Sequence, residues 1–269
     1  MSYTDALRAQ LRQEIASARG YFSDFHESLL RLSPETLKLY FDYVSAQTKT
    51  GLLSSRDRQL IYIALDASVT HLYPRGVEIH SMLAMREGAS PEEIFETLQI
   101  ACEIASITNE LGVAVLADEM RRAGRDAELT PDAQDSRYAT LKQEFVAKRG
   151  AWPAWLDFAF REAPDYAAAF VRLALAPWTP GVLSPKFKEL IYVAHYAAPT
   201  VRYEPGLRAH IRRALELGAS AGELMEVLQL SGSISIHSFS VGAPALTRVM
   251  DEPEEATKAR YGIAATNAP

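Results

Sequence analysis

The sequence predicts an all-α fold built from two tandem helical domains. Apolar residues recur three and four positions apart through "SSRDRQLIYIALDAS" and "SPKFKELIYVAHYAA", which is the spacing of one helix face. The alternation that is typical of strands is absent. A motif also occurs twice, because "THLYPRGVEIH" at 70–80 returns as "TVRYEPGLRAH" at 200–210, 130 residues further along the chain. Helical periodicity and duplication together predict this fold class.

The repeat extends well beyond the motif and needs no gap. The tripeptides "LIY", from Leu60, and "GAS", from Gly88, both return at the same offset of 130 residues. Such a match indicates the duplication of a unit whose length lies within the usual size range of a domain. We therefore predict one domain over residues 1–130 and a second over residues 131–269.

Capping signals divide the pattern into successive helices. Ser33 precedes the run "PETLKLYFDYVSAQ", and Ser90 opens a capping box because Glu93 follows it three residues later. Pro74 and Pro205 mark helix starts, since proline fits the first turn of a helix and resists its interior. The glycines of "REGAS" and "ELGAS" end one helix, and the serines that follow can cap the next.

Composition excludes several classes of function. The chain has 269 residues, 48% of them hydrophobic, and a net charge of -6 with scattered basic residues, so we expect no nucleic-acid partner. No signal-peptide pattern or long apolar run is evident, which leads us to expect a cytoplasmic protein without a membrane segment. The single cysteine, Cys102, excludes a disulfide framework and a dithiol cycle within one chain, and is expected to be a small core residue.

The repeated motif places a tyrosine, a glycine and a histidine along one side of a helix start. The spacings of three and four are shared by Tyr73, Gly76 and His80 and by Tyr203, Gly206 and His210. We expect the glycine to leave an open space beside the imidazole, where an anion could meet the free N–H groups of the helix start. The competing interpretation is that each histidine is a hydrogen-bonded core residue and each glycine permits close packing.

The stretch from "LSPKFKEL" to "GELMEVLQL" resembles the carboxymuconolactone decarboxylase family, and so does its first-copy twin. Alkylhydroperoxidase-like (AhpD-like) members of that family carry a CxxC pair, three further residues and a histidine, followed by an apolar helix and a glycine turn. The resemblance implies a compact all-helical domain that forms trimers or hexamers. A tandem chain is then expected to form a homo-oligomer, such as a trimer of two-domain chains.

This chain departs from the AhpD-like pattern where that pattern carries its redox chemistry. Tyr and Gly stand at the two cysteine positions in both copies, which excludes peroxide reduction by a CxxC pair. What remains resembles the cysteine-free branch, in which the family histidine transfers protons without a cofactor. Glu189 lies near the position of a glutamate in the proton relay of the cysteine-containing members, although "SPKFKEL" also suits a solvated residue in the first turn of a helix.

The two copies differ in their titratable residues. The second copy has His195 and His237 where the first has Leu65 and Ile107. Three histidines including His210 suit either an acid–base relay or a histidine-rich metal site. Because their spacing lacks a compact metal motif, we predict the relay and no metal.

We predict a cofactor-independent lyase or decarboxylase that acts on a small anionic molecule, a carboxylated lactone or a related oxo-acid. The predicted catalytic residues are His210, Tyr203, His195, His80 and Tyr73. The predicted substrate-binding residues are Gly206, Arg202, Arg208, Thr200, Gly76, Thr70 and His237, with the two arginines holding the carboxylate. Two alternatives remain open: a non-catalytic ligand-binding or assembly protein on the same fold, and a histidine-bound metal enzyme.

Overall fold

The computed structural model describes residues 4–104, 106–129 and 136–263, and every regular element within these ranges is helical. The all-α prediction is therefore confirmed. The predicted boundary between residues 130 and 131 lies outside the described residues. The α-helices are α1 (Asp5–Arg19), α2 (Asp24–Leu32), α3 (Pro34–Gln47), α4 (Ser55–Ala67), α5 (Pro74–Arg86), α6 (Pro91–Glu103), α7 (Ser106–Arg122), α8 (Ser136–Arg149), α9 (Trp155–Glu162), α10 (Pro164–Leu175), α11 (Pro185–Ala197), α12 (Glu204–Glu216), α13 (Ala221–Ser233), α14 (His237–Asp251) and α15 (Glu254–Tyr261).

The capping residues predicted from the sequence lie at the ends of the helices in the structure. Ser33 accepts a hydrogen bond from the amide of Thr36 at the start of α3, and Ser90 and Glu93 form the capping box of α6. Gly88 and Gly218, which follow α5 and α12, have φ angles of +91° and +85°. Glycine adopts this left-handed conformation without steric cost, so both helices end where the sequence predicts.

The chain forms two compact units that do not follow the two repeats. One unit combines Met1–Lys49 with Ser233–Pro269, and the other comprises Thr50–Gly232. In the first unit α14 of the second copy packs on α2 of the first copy, and in the second unit α7 of the first copy packs on α9 of the second. The closing helix of each copy therefore covers the opening helices of the other. The division into domains 1–130 and 131–269 describes the repeat and stays a prediction.

The first unit is held together by an apolar core and a pair of polar contacts. Its core contains the buried side chains Leu11, Ile15, Phe25, Leu29, Leu30, Leu37, Tyr40, Phe41 and Ala243. Ser28 of α2 lies 3.2 Å from Thr247 of α14, and Arg31 makes two hydrogen bonds of 2.6 Å with Asp251. Burial of apolar surface supplies most of the stabilisation, and the polar contacts align α2 with α14.

The second unit holds the repeated motif of both copies. Helices α4 and α11 pack on each other, and Thr70 and Thr200, which follow them, lie 3.2 Å apart through their hydroxyl oxygens. Cys102 is exposed on α6, so its predicted place in the core is wrong. The buried face of this helix carries Ile94, Thr97, Ile100 and Ala101, and Cys102 lies outside it.

Two buried carboxylates join the copies within this unit. Glu96 of α6 accepts hydrogen bonds from the amides of Val182 and Leu183, at 2.6 and 3.0 Å, and pairs with Lys188 at 2.9 Å. Its counterpart Glu226 of α13 accepts from Thr50 at 2.6 Å and from the amide of Leu53 at 3.3 Å, and pairs with Arg58 at 2.7 Å. Each carboxylate thus holds the segment that leads into α11 or α4 of the other copy.

Among the described residues, the stretch Pro91–Arg122 is long and apolar enough to cross a membrane by length and composition, with a mean hydropathy of 1.5. Core helices of soluble proteins meet the same criterion. Glu96, Glu103 and Glu110 also lie within it and contact other helices through their carboxylates.

We expect Glu226→Gln to lower the free energy of unfolding by about 2–4 kcal/mol, because the variant leaves the largely buried Arg58 guanidinium without its charge partner. Urea unfolding of the full chain measures this loss. Glu119→Gln is the matched control, since Glu119 forms an exposed pair with Arg122 and should change stability by less than about 0.5 kcal/mol. Equal losses in the two variants would contradict the role assigned to Glu226.

Candidate active site

The second copy pairs a histidine with a buried glutamate. Nδ1 of His210 on α12 lies 2.7 Å from Oε2 of Glu189 on α11. Glu189 is only 1% exposed, so the interpretation of this residue as a solvated first-turn side chain is wrong. A carboxylate at Nδ1 fixes the orientation of the ring and stabilises its protonated form, and it leaves Nε2 as the nitrogen available to a ligand.

Two tyrosines of α11 pack against the imidazole. Tyr192 stacks on His210 with 4.5 Å between ring centroids, and Tyr196 lies against it at 4.8 Å. Tyr196 also occupies the space beside Gly206, because a Cβ added to that glycine would overlap the tyrosine ring. The expectation that this glycine leaves an open space is therefore wrong. The glycine admits an aromatic side chain next to the histidine.

A charged network lies behind the histidine. Arg149 of α8 forms a buried ion pair with Glu103 of α6, and the hydroxyl of Tyr192 donates a hydrogen bond to the same carboxylate. The Arg149 guanidinium also lies 4.8 Å from the centre of the Tyr192 ring. Burial raises the pKa of Tyr192 well above its usual value, so the phenol stays protonated and remains a donor.

The closing helix of the first copy contributes a further carboxyl group, Glu110 of α7. The hydroxyl of Tyr196 donates to Oε1 of Glu110 across 3.5 Å, and Asn109 next to it donates to the hydroxyl of Tyr166 on α10 at 2.8 Å. Burial raises the pKa of Glu110, and the positive charges of His210 and Arg149 act in the opposite direction.

These groups open onto a cavity of about 820 Å³. This volume lies in the upper part of the range of roughly 300–1,000 Å³ found for small-molecule sites. His210, Tyr196, Glu189 and Glu110 lie in its wall. Aromatic side chains form much of the remaining lining, and four arginines contribute to it: Trp152, Trp155, Phe158 and Phe170, with Arg121, Arg149, Arg212 and Arg213. The arrangement can bind a small molecule with an apolar part and move protons at one end of it.

The first copy keeps the histidine and one aromatic ring but changes the groups around them. Nδ1 of His80 lies 2.6 Å from Oε1 of Gln59, and Tyr62 stacks on the imidazole at 4.7 Å. Asp66 occupies the space beside the first-copy glycine and lies 3.9 Å from Nε2 of His80 and 3.7 Å from His71. Burial raises the pKa of Asp66 to about 8. The first imidazole thus has a neutral amide where the second has a carboxylate.

The family model described as "Carboxymuconolactone decarboxylase family" matches residues 34–119 and 164–236, one segment in each copy. The chain belongs to this family. Among solved structures, the chain is similar to a protein of Burkholderia xenovorans that is provisionally assigned as a gamma-carboxymuconolactone decarboxylase subunit. The two are 36% identical, with a TM-score of 0.83, over 90% of this chain and 97% of the other. No curated protein matches the chain.

Family membership supports a decarboxylase- or lyase-type function at the level of the family. It also confirms the resemblance and the tandem arrangement, since both copies match and both lack the CxxC pair. The roles of individual residues stay predictions that the geometry refines.

Of the residues predicted for the second-copy site of this chain, His210 and Gly206 line the cavity. Tyr203 precedes α12, with its ring 6.0 Å from that of Tyr196, and is not part of the described lining. Arg202 is exposed with a φ of +46°, and Arg208 forms an exposed pair with Glu204. Neither arginine is among the described lining residues.

The other predicted residues lie elsewhere. Thr200 and Thr70 contact each other. In the first copy Tyr73 precedes α5, and Gly76 lies against Asp66. His237 is the first residue of α14 and belongs to the first compact unit. Within the described part of Thr50–Gly232, His195 and His210 are not joined by a third ligand at metal-binding distances. The histidine-bound metal alternative stays open.

His195 is 1% exposed, and neither of its ring nitrogens has a hydrogen-bond partner among the described residues. Burial, followed by the nearby charge of His210, lowers its pKa to about 4. The side chain is not part of the described cavity lining. Its first-copy counterpart Leu65 is equally buried, so this position belongs to the core in both copies.

Sequence reasoning missed Tyr192, Tyr196, Glu103, Glu110 and Arg149. One signal was available in α11, because Glu189, Tyr192 and Tyr196 are spaced three and four apart and share one helix face. The other three residues lie on α6, α7 and α8, and no local pattern connects those helices with the histidine motif.

We expect His195→Leu, which installs the first-copy residue, to stabilise the protein most strongly in acid. The folded-state pKa of about 4 lies below the unfolded value of 6.5. The wild type therefore loses stability from this group as pH falls from 6.5 to 4, by roughly 2–3 kcal/mol, and the variant does not. Urea unfolding at pH 7, 5.5 and 4.5 measures the difference. A wild-type and variant pair with parallel pH profiles would contradict this account.

Proposed function

We propose that the chain is a cofactor-independent decarboxylase acting on a small carboxylated lactone or a related oxo-acid in the cavity of the second copy. One observation carries the proposal: His210 lies in the cavity wall with Glu189 at Nδ1 and the rings of Tyr192 and Tyr196 against its imidazole. The family and the provisional assignment of the Burkholderia protein agree with this reaction class.

The chemistry of decarboxylation explains the need for such a histidine. Loss of carbon dioxide leaves an electron pair on carbon, which a neighbouring carbonyl group accepts as an enolate. His210 donates from Nε2 to the enolate oxygen, and the Glu189 carboxylate stabilises the positive imidazolium. Tyr196 lines the same wall, and burial raises its pKa, so it stays protonated; when substrate is bound, its hydroxyl turns from Glu110 to the enolate oxygen in the role first assigned to Tyr203.

The substrate carboxylate needs a cationic partner in the cavity. Arg212 and Arg213 line it, whereas Arg202 and Arg208 are not part of its described lining. Arg213 pairs with Glu216 at 3.0 Å, and Arg212 is exposed. We assign the binding of the carboxylate to Arg212 and Arg213, with the aromatic side chains holding the apolar part of the substrate.

We expect the first-copy site to contribute less to turnover than the second-copy site. Gln59 replaces Glu189 and carries no charge to stabilise an imidazolium at His80. Asp66 replaces the tyrosine that stands beside the second imidazole. The proposal therefore places the productive site in the second copy.

Association of chains and a cytoplasmic location are part of the proposal. Helices α7 and α14 each expose apolar side chains, which are Leu111, Val115 and Leu116 on α7 and Val241, Leu246 and Val249 on α14. Apolar residues exposed in groups on a helix indicate a contact with another chain. A homo-oligomer such as a trimer would cover them.

We expect Val115→Lys to reduce the molecular mass measured by light scattering, because a charge would have to be buried in the contact between chains. Glu255→Lys, an exposed residue of α15 that belongs to neither apolar face, is the control and should leave the mass unchanged. A monomeric wild type, or an unchanged mass in Val115→Lys, would contradict oligomerisation through this face.

We expect His210→Ala to lower turnover at least about 10²-fold while the thermal melt changes little, because general acid–base groups contribute 10²–10⁴-fold to rates. Carbon dioxide release from a panel of carboxylated lactones and oxo-acids measures turnover. His80→Ala is the matched control in the first copy and should retain most of the activity. Saturable binding without carbon dioxide release would favour the ligand-binding alternative, and unchanged activity in His210→Ala would contradict the proposal.

A further inference from the structure

The side chains grouped around His210 in the second-copy cavity include more carboxyl groups than arginines. Glu103, Glu110 and Glu189 all line it, and Arg149 is the guanidinium beside them. Three ionised carboxylates in a partly buried space would repel one another and repel an anionic substrate. The hydrogen bonds and ion pairs of each group therefore decide which of them stays charged.

Two of the three carboxyl groups have a positive or potentially positive partner. Glu103 forms its ion pair with Arg149 and accepts from Tyr192. Glu189 contacts Nδ1 of His210, which can carry a positive charge. Among the described residues, Glu110 has a neutral contact, the Tyr196 hydroxyl 3.5 Å away. Glu110 is thus the carboxyl group most easily kept in its neutral acid form.

Glu110 reaches the second-copy site because the closing helix of the first copy packs on the second copy. Glu110 lies on α7 of the first copy, and α7 packs on α9 of the second copy. Asn109 attaches the helix to α10 through Tyr166. At the matching register the second copy has Ser240 on α14, so the carboxyl group belongs to one of the two repeats only.

We propose that Glu110 is the proton donor of the second-copy site, supplied to it by the first copy's closing helix. This inference rests on the proposed decarboxylase function and separates two tasks within it. His210 with Glu189 stabilises the enolate oxygen, and Glu110 protonates carbon after carbon dioxide has left.

The step balances without any further reactant. The bond between the carboxylate and the ring carbon breaks, carbon dioxide leaves, and the electron pair remains on the carbon as the enolate. The O–H bond of Glu110 then breaks, a C–H bond forms, and Glu110 becomes a carboxylate. A proton from water in the cavity restores the acid, so that one proton is consumed for each carbon dioxide released.

The surrounding groups determine how this donor responds to pH. Burial raises its pKa; His210, Arg149 and the hydrogen bond from Tyr196 lower it, and Glu103 raises it. Tyr203 also senses the charge of Glu110, since burial and Glu110 together raise the pKa of that phenol. Because the acid form is required, the rate should fall as pH rises through the pKa of Glu110.

The test compares wild type, Glu110→Gln, Glu110→Asp and Glu119→Gln for carbon dioxide release across pH, together with thermal melts. We expect Glu110→Gln to lower kcat about 10²-fold or more, to keep a melt close to wild type and to lose the decline at high pH. Glu110→Asp should restore part of the rate and the decline. Glu119→Gln, an exposed residue of the same helix, should match wild type.

A Glu110→Gln variant with wild-type kcat, or with a lower kcat and an unchanged high-pH decline, would overturn the proposal. Infrared difference spectra of wild type minus Glu110→Gln at pH 7 provide a readout that does not need turnover. A protonated carboxyl band supports the assignment, and its absence overturns it. A wild type that releases no carbon dioxide but shows the band would instead overturn the proposed function alone.

Discussion

The buried carboxylates Glu96 and Glu226 are the constraint on which the second unit depends. Each one takes two hydrogen bonds and an ion pair from the segment that begins α11 or α4 of the other copy. A buried charge is tolerated only where such partners surround it, so neither helix start can shift without leaving a charge uncompensated. Because α11 carries Glu189, Tyr192 and Tyr196, its start also sets the position of the site.

Both copies keep the buried carboxylate that holds the start of α4 or α11, whereas the side chains around the two histidines differ. Both copies keep the histidine and the ring stacked on it. Glu189 contacts the imidazole of the second copy, and Gln59 contacts that of the first. A tyrosine lies beside the glycine of the second copy, and an aspartate lies beside the glycine of the first. The partner at Nδ1 decides how well the ring supports a positive charge. Two sites of one ancestry therefore differ in the proton chemistry that they can perform.

The exchange of closing helices makes the second site depend on both copies. Glu103 and Glu110 come from α6 and α7 of the first copy, whereas Arg149 and His210 come from the second. The duplication thus did more than double a motif. After the duplication, α7 of the first copy could change in sequence independently of the second-copy residues around His210.

The sequence alone determined the helical class, the duplication, the helix ends and the absence of a redox pair. These follow from local spacing, from capping and from residue identity, which need no knowledge of distant neighbours. It also pointed to His210, because the motif repeats around it. Cys102 shows the limit of this reasoning, since composition does not reveal which face of a helix is covered.

Only the tertiary structure decided which residues meet His210. Glu189 could be read as a solvated residue until the packing of α11 against α12 buried it. His195 was predicted as a catalytic residue and Arg208 as a substrate-binding residue, yet one lies in the core and the other in an exposed ion pair. Glu110 lies 100 residues before His210 on a helix with no matching signal. The contacts of a site depend on how helices pack, and packing is set by long-range burial and charge pairing that local patterns do not record.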